Sequence, residues 1–580
     1  RGYWCVVYLL QHLNFSSIIM QEEAMAEIDD LLNQMQITRP DHLPVVAAFC
    51  RRIGLIDVID RVVPNEMEVS VGTLVQGMVL DTLSGRSPLY RLEEFFKHQD
   101  TQLLLGQDVD PTSFNDTTVA RAIDAIFEIG AEKVFSEVAF NASCRFPLNK
   151  RYVHFDTTSV NVWGDYDCCN SDSGSINITH GYSKDHRPDL KQFLVKMLCV
   201  GRNVPLLGSC EDGNGSDKSI NNTVLSRISK HMAKHGLEPG AFIYIADSAM
   251  VTKDNLTTVG DNLFLTRLPF SYNEAGRVVS ETVEQGVWEE VGVLNETPAT
   301  TKRSPALYSV AEKTVTLYEK EYRAVVVHST AHDKRRLKRL ERQIKKSTST
   351  LSRLIAKETK SEFFCRPDAD AAAANLQQYD TELHRITVSV EEKLYYARGR
   401  PPKDGNRKVS RIQYVLKACI EEKSEQVKRI QKESGCFVLL TNVAQQGSMA
   451  ETGAGLLQAY KEQYGIEKNF SFLKDPLIVN DIFLKKPERI EVLGAVLLIS
   501  LMIWNLIEHT LRQHIKECGA TLPGWDKKQT KRPTAFMMSI KFMGLQVVRV
   551  AGMCRLATQL TDGQKRYLNA LNLSEADLLG

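Results

Sequence analysis

The chain has 580 residues, 43% hydrophobic and 25% charged, which is too long for one ordinary core and typical of a soluble globular protein with several domains or a large insertion. Its 72 basic residues against 71 acidic ones exclude a global nucleic-acid footprint, so contact with nucleic acid must come from local clustering. Twelve cysteines without a C-x-x-C pair, the vicinal Cys168 and Cys169 included, read as reduced thiols of a cytoplasmic protein and disfavour a zinc site.

The opening segment, "RGYWCVVYLLQHLNFSSIIM", carries a short apolar run broken by Gln11 and His12, neither a signal peptide nor a membrane span. Translation is expected to begin at Met20 or Met25, which makes residues 1–19 a non-native leader. Residues 20–145 read as a helical domain. Both "DHLPVVAAFCRRIGLIDVIDRVVP" and "SFNDTTVARAIDAIFEIGAEKVFSEVAF" recur at helical spacing, and Asn115 or Asp116 is placed to cap the helix in the second.

From 146 to 271 the texture changes. "RYVHFDTTSVNVWG" alternates apolar and polar residues, "SINITHGYSK" follows across a Gly/Ser-rich turn, and "LKQFLVKMLCVGRNVPLL" gives a third extended run. Then come a helix in "SDKSINNTVLSRISKHMAKHG", a short strand in "PGAFIYIADSAM" that stops at Asp247, a helix near 249–258 and a strand in "DNLFLTRLPF". This order predicts a mixed α/β fold, an antiparallel meander extended by helix-linked strands with helices on the sheet faces. Strands one and four would be neighbours, which brings Asp156 on the first and Asp247 at the end of the fourth to one end of the sheet.

Residues 272–440 read as an insertion. The extended runs "VWEEVGVL", "TVTLYEKEYRAVVVHS" and "CFVLLTNV" surround a block at 333–360 with eleven Lys or Arg against three Asp or Glu. There Leu337, Leu340, Ile344, Leu351 and Leu354 follow a heptad that Ser347 interrupts, which predicts a helical hairpin. Its charged faces are either solvated or laid on DNA phosphates through Lys334, Arg335, Lys338 and Arg342. "YYARGRPPKDGNRK" is either a Gly/Pro turn between elements or a segment offering Arg398 and Arg400 to a minor groove.

Residues 441–515 are expected to complete the core that residues 146–271 begin, and 516–580 to form a C-terminal helical segment. "YKEQYGIEKNFSFLKD", 460 to 475, reads as one helix. At 100° per residue Tyr460, Gln463, Glu467 and Lys474 fall within about 60° of one another, beside a stripe of Ile466, Phe470 and Leu473 suited to burial. "EVLGAVLLISLMIWNLIEHT", 491 to 510, reads as a buried core helix, because Asn505 and the charged ends argue against a bilayer.

The carboxylates of Asp156, Asp247 and Glu467 are hard oxygen ligands suited to Mg²⁺ or Mn²⁺, and two such ions promote in-line phosphoryl displacement. "HFDTTSV", "YIADSAM" and the spacing of Tyr460, Gln463, Glu467 and Lys474 resemble the three catalytic regions of bacterial insertion-sequence DDE transposases with the Tyr-Arg-Glu-Lys signature. "HGYSKDHRPDLKQF" is similar to their second and third strands. The resemblance, over roughly residues 40–515, implies an RNase H-like catalytic core with a large insertion, preceded by a helical domain that binds DNA ends. It implies Asp156, Asp247 and Glu467 as ligands of two Mg²⁺ or Mn²⁺ ions, and Tyr460 and Lys474 as phosphate contacts. The family's arginine is Gln463 here, which offers phosphate a neutral hydrogen bond in place of a charge-assisted one. The implied activity is metal-dependent cleavage at terminal inverted repeats and transfer of the freed 3′-OH into target DNA, by a cytoplasmic homodimer. The alternatives are a decayed or recruited copy that binds DNA without cutting it, and an RNase H-like nuclease that does not join strands.

Overall fold

Alternation along residues 152–162 produces the strand that organises the first part of the fold: β1, Tyr152–Val162, buries Phe155 and Val153 on one face and His154 on the other. In the computed structural model, which describes residues 35–85, 91–164, 166, 174–294, 305–398, 407–475, 482, 484–550 and 552–580, the chain divides into two units. The first comprises the residues up to Phe264 together with Ala459–Gly580, and the second is Leu265–Gln458.

In the first unit β1 pairs antiparallel with β2, Lys191–Val200, and β2 antiparallel with β3, Val204–Glu211. On its other edge β1 pairs in parallel with β4, Ile243–Ile245, so the order is β3-β2-β1-β4. The expected meander is present with different boundaries. "SINITHGYSK" is not a strand: only Thr179 forms an isolated bridge, to Gln192. The single run expected over 190–207 is instead two strands folded back at Gly201 and Arg202, both at positive φ (55° and 84°), the conformation a tight hairpin demands.

Helix α1, Asp217–Lys234, follows β3, and its Asn221 accepts a hydrogen bond from the buried Tyr244 hydroxyl of β4 at 3.0 Å. Helix α2, Tyr464–Leu473, buries Ile466, Asn469, Phe470 and Leu473. Helix α3, Pro487–Cys518, is long and apolar enough to cross a membrane, yet 89% of its most apolar stretch is buried within the chain, as a core helix requires. It packs on β3 and on the helices Val71–Ser84, Asp116–Ile129 and Ala131–Arg145, which share this unit with the sheet. Of the two candidate caps for Asp116–Ile129, Asn115 performs the task, accepting from the Thr118 amide. The segment 516–580 is less helical than expected. Besides helices at Ala535–Phe542 and Asp562–Ala570 it supplies the strands Val547–Val550 and Met553–Leu556, the former paired with Gln36–Thr38.

The second unit has its own strands, Glu289–Val293, Leu307–Leu317, Lys320–Ser329 and Cys436–Thr441, with all their neighbouring pairs antiparallel. A long hairpin, His384–Tyr396 with Val409–Glu422, packs Ile386 against Leu351 and Leu376. The basic block corrects the expected hairpin of helices. It lies in one continuous helix, Thr330–Glu358. Ser347 does not interrupt it, because its hydroxyl finds the buried His384 ring, 2.9 Å from Nδ1, in the hairpin.

Candidate functional site

The parallel register of β1 and β4 runs from Tyr152 opposite Ile243 to His154 opposite Ile245. Asp156 stands two residues further along β1, on the face of His154, and Asp247 two residues past Ile245, where the pairing has stopped; Asp247 is near enough for its charge to act on the Asp156 carboxyl. β4 ends at Ile245 whereas β1 continues to Val162, which leaves an open edge on β1 beside the two aspartates. Asp156, its side chain 21% exposed, accepts from the Thr157 amide at 2.7 Å. Asp247 caps a short 3₁₀ turn, accepting from the Ala249 amide at 3.1 Å. Burial pushes the Asp156 carboxyl up to about 7, with Asp247 and Asp217 adding to the rise and Lys184 and the Thr157 amide opposing it. Asp247 is also raised, by burial first and by the charge of Asp217 next.

Two of these groups escaped the sequence reading. Lys184 lies in the stretch expected to be a strand, which instead crosses the strand ends: it bridges to β2 at Thr179 and then reaches the far edge of β1. There the Lys184 ammonium donates to the Thr157 carbonyl at 2.7 Å and to Thr157 Oγ1 at 2.9 Å. It stands 3.3 Å from Asp217 Oδ2 and 4.0 Å from Asp156 Oδ1. Asp217, in the first turn of α1, accepts from Thr157 Oγ1 at 2.5 Å. The only sequence signal for the pair was polarity: a lysine amid "HGYSKDHRP" and an aspartate at a helix start.

Helix α2 is held over the face that carries Asp156. Asn469 Nδ2 donates to the Asn203 carbonyl at 2.8 Å and lies 3.3 Å from Met197 Sδ, and Met197 is the cross-strand partner of Asp156. Gly465 allows the approach, since a methyl there would stand 2.5 Å from the Arg202 carbonyl oxygen. At the other end Lys474 clamps Asp185, with Nζ 2.7 and 2.6 Å from its two carboxylate oxygens. Glu467 is exposed on the same flank as Lys474, about 10 Å back along the axis and about 3 Å from the level of Asn469. Among the described residues no three His, Cys, Asp or Glu side chains form a ready-made metal cage.

The single helix expected over 460–475 is broken. One helix ends at Glu462, α2 begins at Tyr464, and Gln463 sits at the junction. Bonds of Gln463 N to Tyr460 O and of Ile466 N to Gln463 O tighten the backbone there, so the angular phase does not carry across. Glu467 and Lys474 therefore share a flank by helical geometry; the half-buried Gln463 is the N-cap of α2, its carbonyl accepting from Ile466 N at 3.0 Å and Glu467 N at 3.5 Å, and the half-buried Tyr460 belongs to the preceding helix.

In the second unit, Lys338, Arg339, Arg342, Lys345, Lys346 and Arg353 are exposed along the helix Thr330–Glu358, and none is in an ion pair among the described residues. The side chains of Lys334 and Arg335 lie outside the described ones. Arg398 is exposed after the first strand of the long hairpin, and Arg400 lies outside the described residues, as do Met20, Met25, Cys168 and Cys169.

Residues 35–140 match a family described as a domain of unknown function, DUF4277, a domain found in transposase-like proteins. The match covers the helices that precede β1 and links the chain to transposase-like proteins at that level. A search of curated proteins found no match.

Proposed function

We propose that the chain is a DNA transposase of the Tyr-Arg-Glu-Lys group, with an RNase H-like core that cleaves transposon ends and joins the freed 3′-OH to target DNA. The observation that carries this reading is the pair Asp156 on β1 and Asp247 just past the end of its parallel neighbour β4, two partly desolvated carboxylates with Asp247 near enough to raise Asp156. The transposase-like context of residues 35–140 supports it independently.

Asp156 and Asp247 fit a divalent cation: hard oxygens, partly desolvated, with proton affinity raised by burial and by neighbouring carboxylate charge, Asp247 and Asp217 acting on Asp156 and Asp217 on Asp247, as ligands stand before a metal neutralises them. Glu467, on the flank of α2, is the third ligand in this proposal. Two Mg²⁺ or Mn²⁺ ions held there would activate the attacking oxygen and neutralise charge on the leaving one. The chain's own part is orientation. The Thr157 amide fixes one Asp156 oxygen, and the Asn469 and Lys474 anchors fix the helix that presents Glu467. The exposed cations Lys338, Arg339, Arg342, Lys345, Lys346 and Arg353 would lie along DNA phosphates, with Lys334 and Arg335 of the same helix, giving binding without sequence preference. Recognition of inverted repeats falls to the helices of residues 43–145, and synapsis of two ends to a homodimer.

The test is a gel shift on DNA carrying the element's inverted repeats, paired with a nicking assay in Mg²⁺ or Mn²⁺. Asp156→Ala, Asp247→Ala and Glu467→Gln should each abolish cleavage and leave end binding largely intact. Full cleavage by any variant removes that residue from the site. Binding by the wild type without cleavage in either metal would instead favour a decayed copy, the reading that the absence of the signature arginine at Gln463 motivates.

A further inference from the structure

Lys184 holds an unusual post. Its ammonium, at the end of a side chain 30% exposed, is fixed by both the carbonyl and the hydroxyl of Thr157 and lies 4.0 Å from Asp156 Oδ1, where a cation bound to Asp156 would come close. Asp217 stands on its other side, nearer at 3.3 Å. Both Asp217 oxygens face donors of the chain itself, Oδ1 the Thr157 hydroxyl and Oδ2 the Lys184 ammonium, and α1 is tied to the sheet through Asn221 and Tyr244.

We propose that Lys184 is a tethered cation that holds the carboxylate cluster together before metal binds and then withdraws onto Asp217, so that Lys184 and Asp217 together set the metal affinity of the site. The inference rests on reading Asp156 and Asp247 as metal ligands. The Lys184 ammonium stands between Asp156 and Asp217 and its charge also reaches Asp247, so these three carboxylates would repel one another more strongly if Lys184 were absent. A dication on Asp156 and an ammonium 4.0 Å from Asp156 Oδ1 repel each other strongly in a partly desolvated site, so one must yield. A lysine on a flexible four-carbon stem can yield cheaply, because Asp217 is already its closer carboxylate. On this view Asp217 is not a metal ligand. It is a positioning residue that acts through Lys184, and Lys184 acts through the carboxylates.

The test is Mn²⁺ binding to the full chain without DNA, read from the electron paramagnetic resonance signal of free Mn²⁺, with melting temperatures in EDTA and in Mn²⁺. Lys184→Met and Lys184→Gln should each bind Mn²⁺ roughly ten-fold more tightly or better, the effect of removing a nearby like charge. They should melt lower in EDTA and gain more from Mn²⁺ than the wild type does. Asp217→Asn should weaken Mn²⁺ binding several-fold, and that weakening should vanish in the Lys184→Met, Asp217→Asn double variant. Unchanged or weaker Mn²⁺ binding in both Lys184 variants would overturn the proposal, as would an Asp217→Asn effect that persists undiminished without Lys184, which would make Asp217 a ligand. Asp156→Asn separates the two levels. If it abolishes Mn²⁺ binding while the Lys184 variants behave as wild type, the metal site stands and the proposal falls. If Mn²⁺ binding is indifferent to Asp156→Asn, the ligand reading fails and takes the proposal with it.

Discussion

Replacing Asn505 by alanine should cost the first unit more than its single small side chain would imply. Asn505, 5% exposed on α3, donates from Nδ2 to the Asn203 carbonyl at 2.8 Å and to Asn469 Oδ1 at 2.9 Å. Its Oδ1 accepts from Asn203 Nδ2 at 2.9 Å. Removing it leaves Asn469 Oδ1 orphaned in a side chain only 1% exposed, whereas the half-buried Asn203 amide can turn to water and the Asn203 carbonyl keeps its bond from Asn469. One deeply buried orphan at about 1–3 kcal/mol, plus lost bonds of about 1 kcal/mol, gives a destabilisation of about 2–4 kcal/mol. Asn469→Ala orphans nothing, since Asn505 Nδ2 retains the Asn203 carbonyl, and should cost about 1–2 kcal/mol. The double variant should therefore lose about 1–2 kcal/mol less than the sum, because without Asn469 there is no orphan to leave. Guanidinium unfolding read by Trp504 fluorescence reports on this core, for the indole lies beside Phe472 of α2, with ring centroids 6.3 Å apart. A loss below about 1 kcal/mol for Asn505→Ala, or additivity within about 0.5 kcal/mol, would refute the network argument.

Stability in the absence of divalent ions should depend on pH through Asp156. With its folded value raised to about 7, the native chain holds a proton that the unfolded chain has released, so the contribution is complete below about pH 4 and is lost as pH rises through 7. Asp156→Asn should accordingly stabilise the EDTA-treated protein by on the order of 2–4 kcal/mol at pH 8 and by much less near pH 4; an equal gain at both would count against a protonated Asp156. Changing Lys334, Arg335, Lys338 and Arg342 together to glutamine should weaken binding to any DNA and flatten the slope of log affinity against log salt by up to about 3.6, at about 0.9 per phosphate. An unchanged slope would mean that the basic helix is a solvated face.

Features governed by residues a few positions apart could be read from the chain. The alternation that makes β1, the stop of β4 before Asp247, the buried stripe of α2 and the apolar run of α3 all depend on local periodicity, and each was legible as a pattern of two or of 3.6. So was the neighbourhood of Asp156 and Asp247, because strand order alone makes β1 and β4 adjacent. What the pattern left open was decided by distant partners. Residues 190–207 read as one extended run, although Gly201-Arg202-Asn203 is a short polar break; that this break is a hairpin turn rests on positive φ at Gly201 and Arg202 and on pairing across it. Ser347 looked like a break until its partner, His384 from a hairpin 37 residues on, was in place. The tightened junction at Gln463 puts Tyr460 on a different helix from Glu467 and Lys474, although the spacing of the signature looked like one face. Lys184 and Asp217 are 33 positions apart in sequence, with no periodicity to connect them. They meet because β4 is shorter than β1, which leaves the Thr157 carbonyl unpaired by any strand and open to a lysine from a crossing loop.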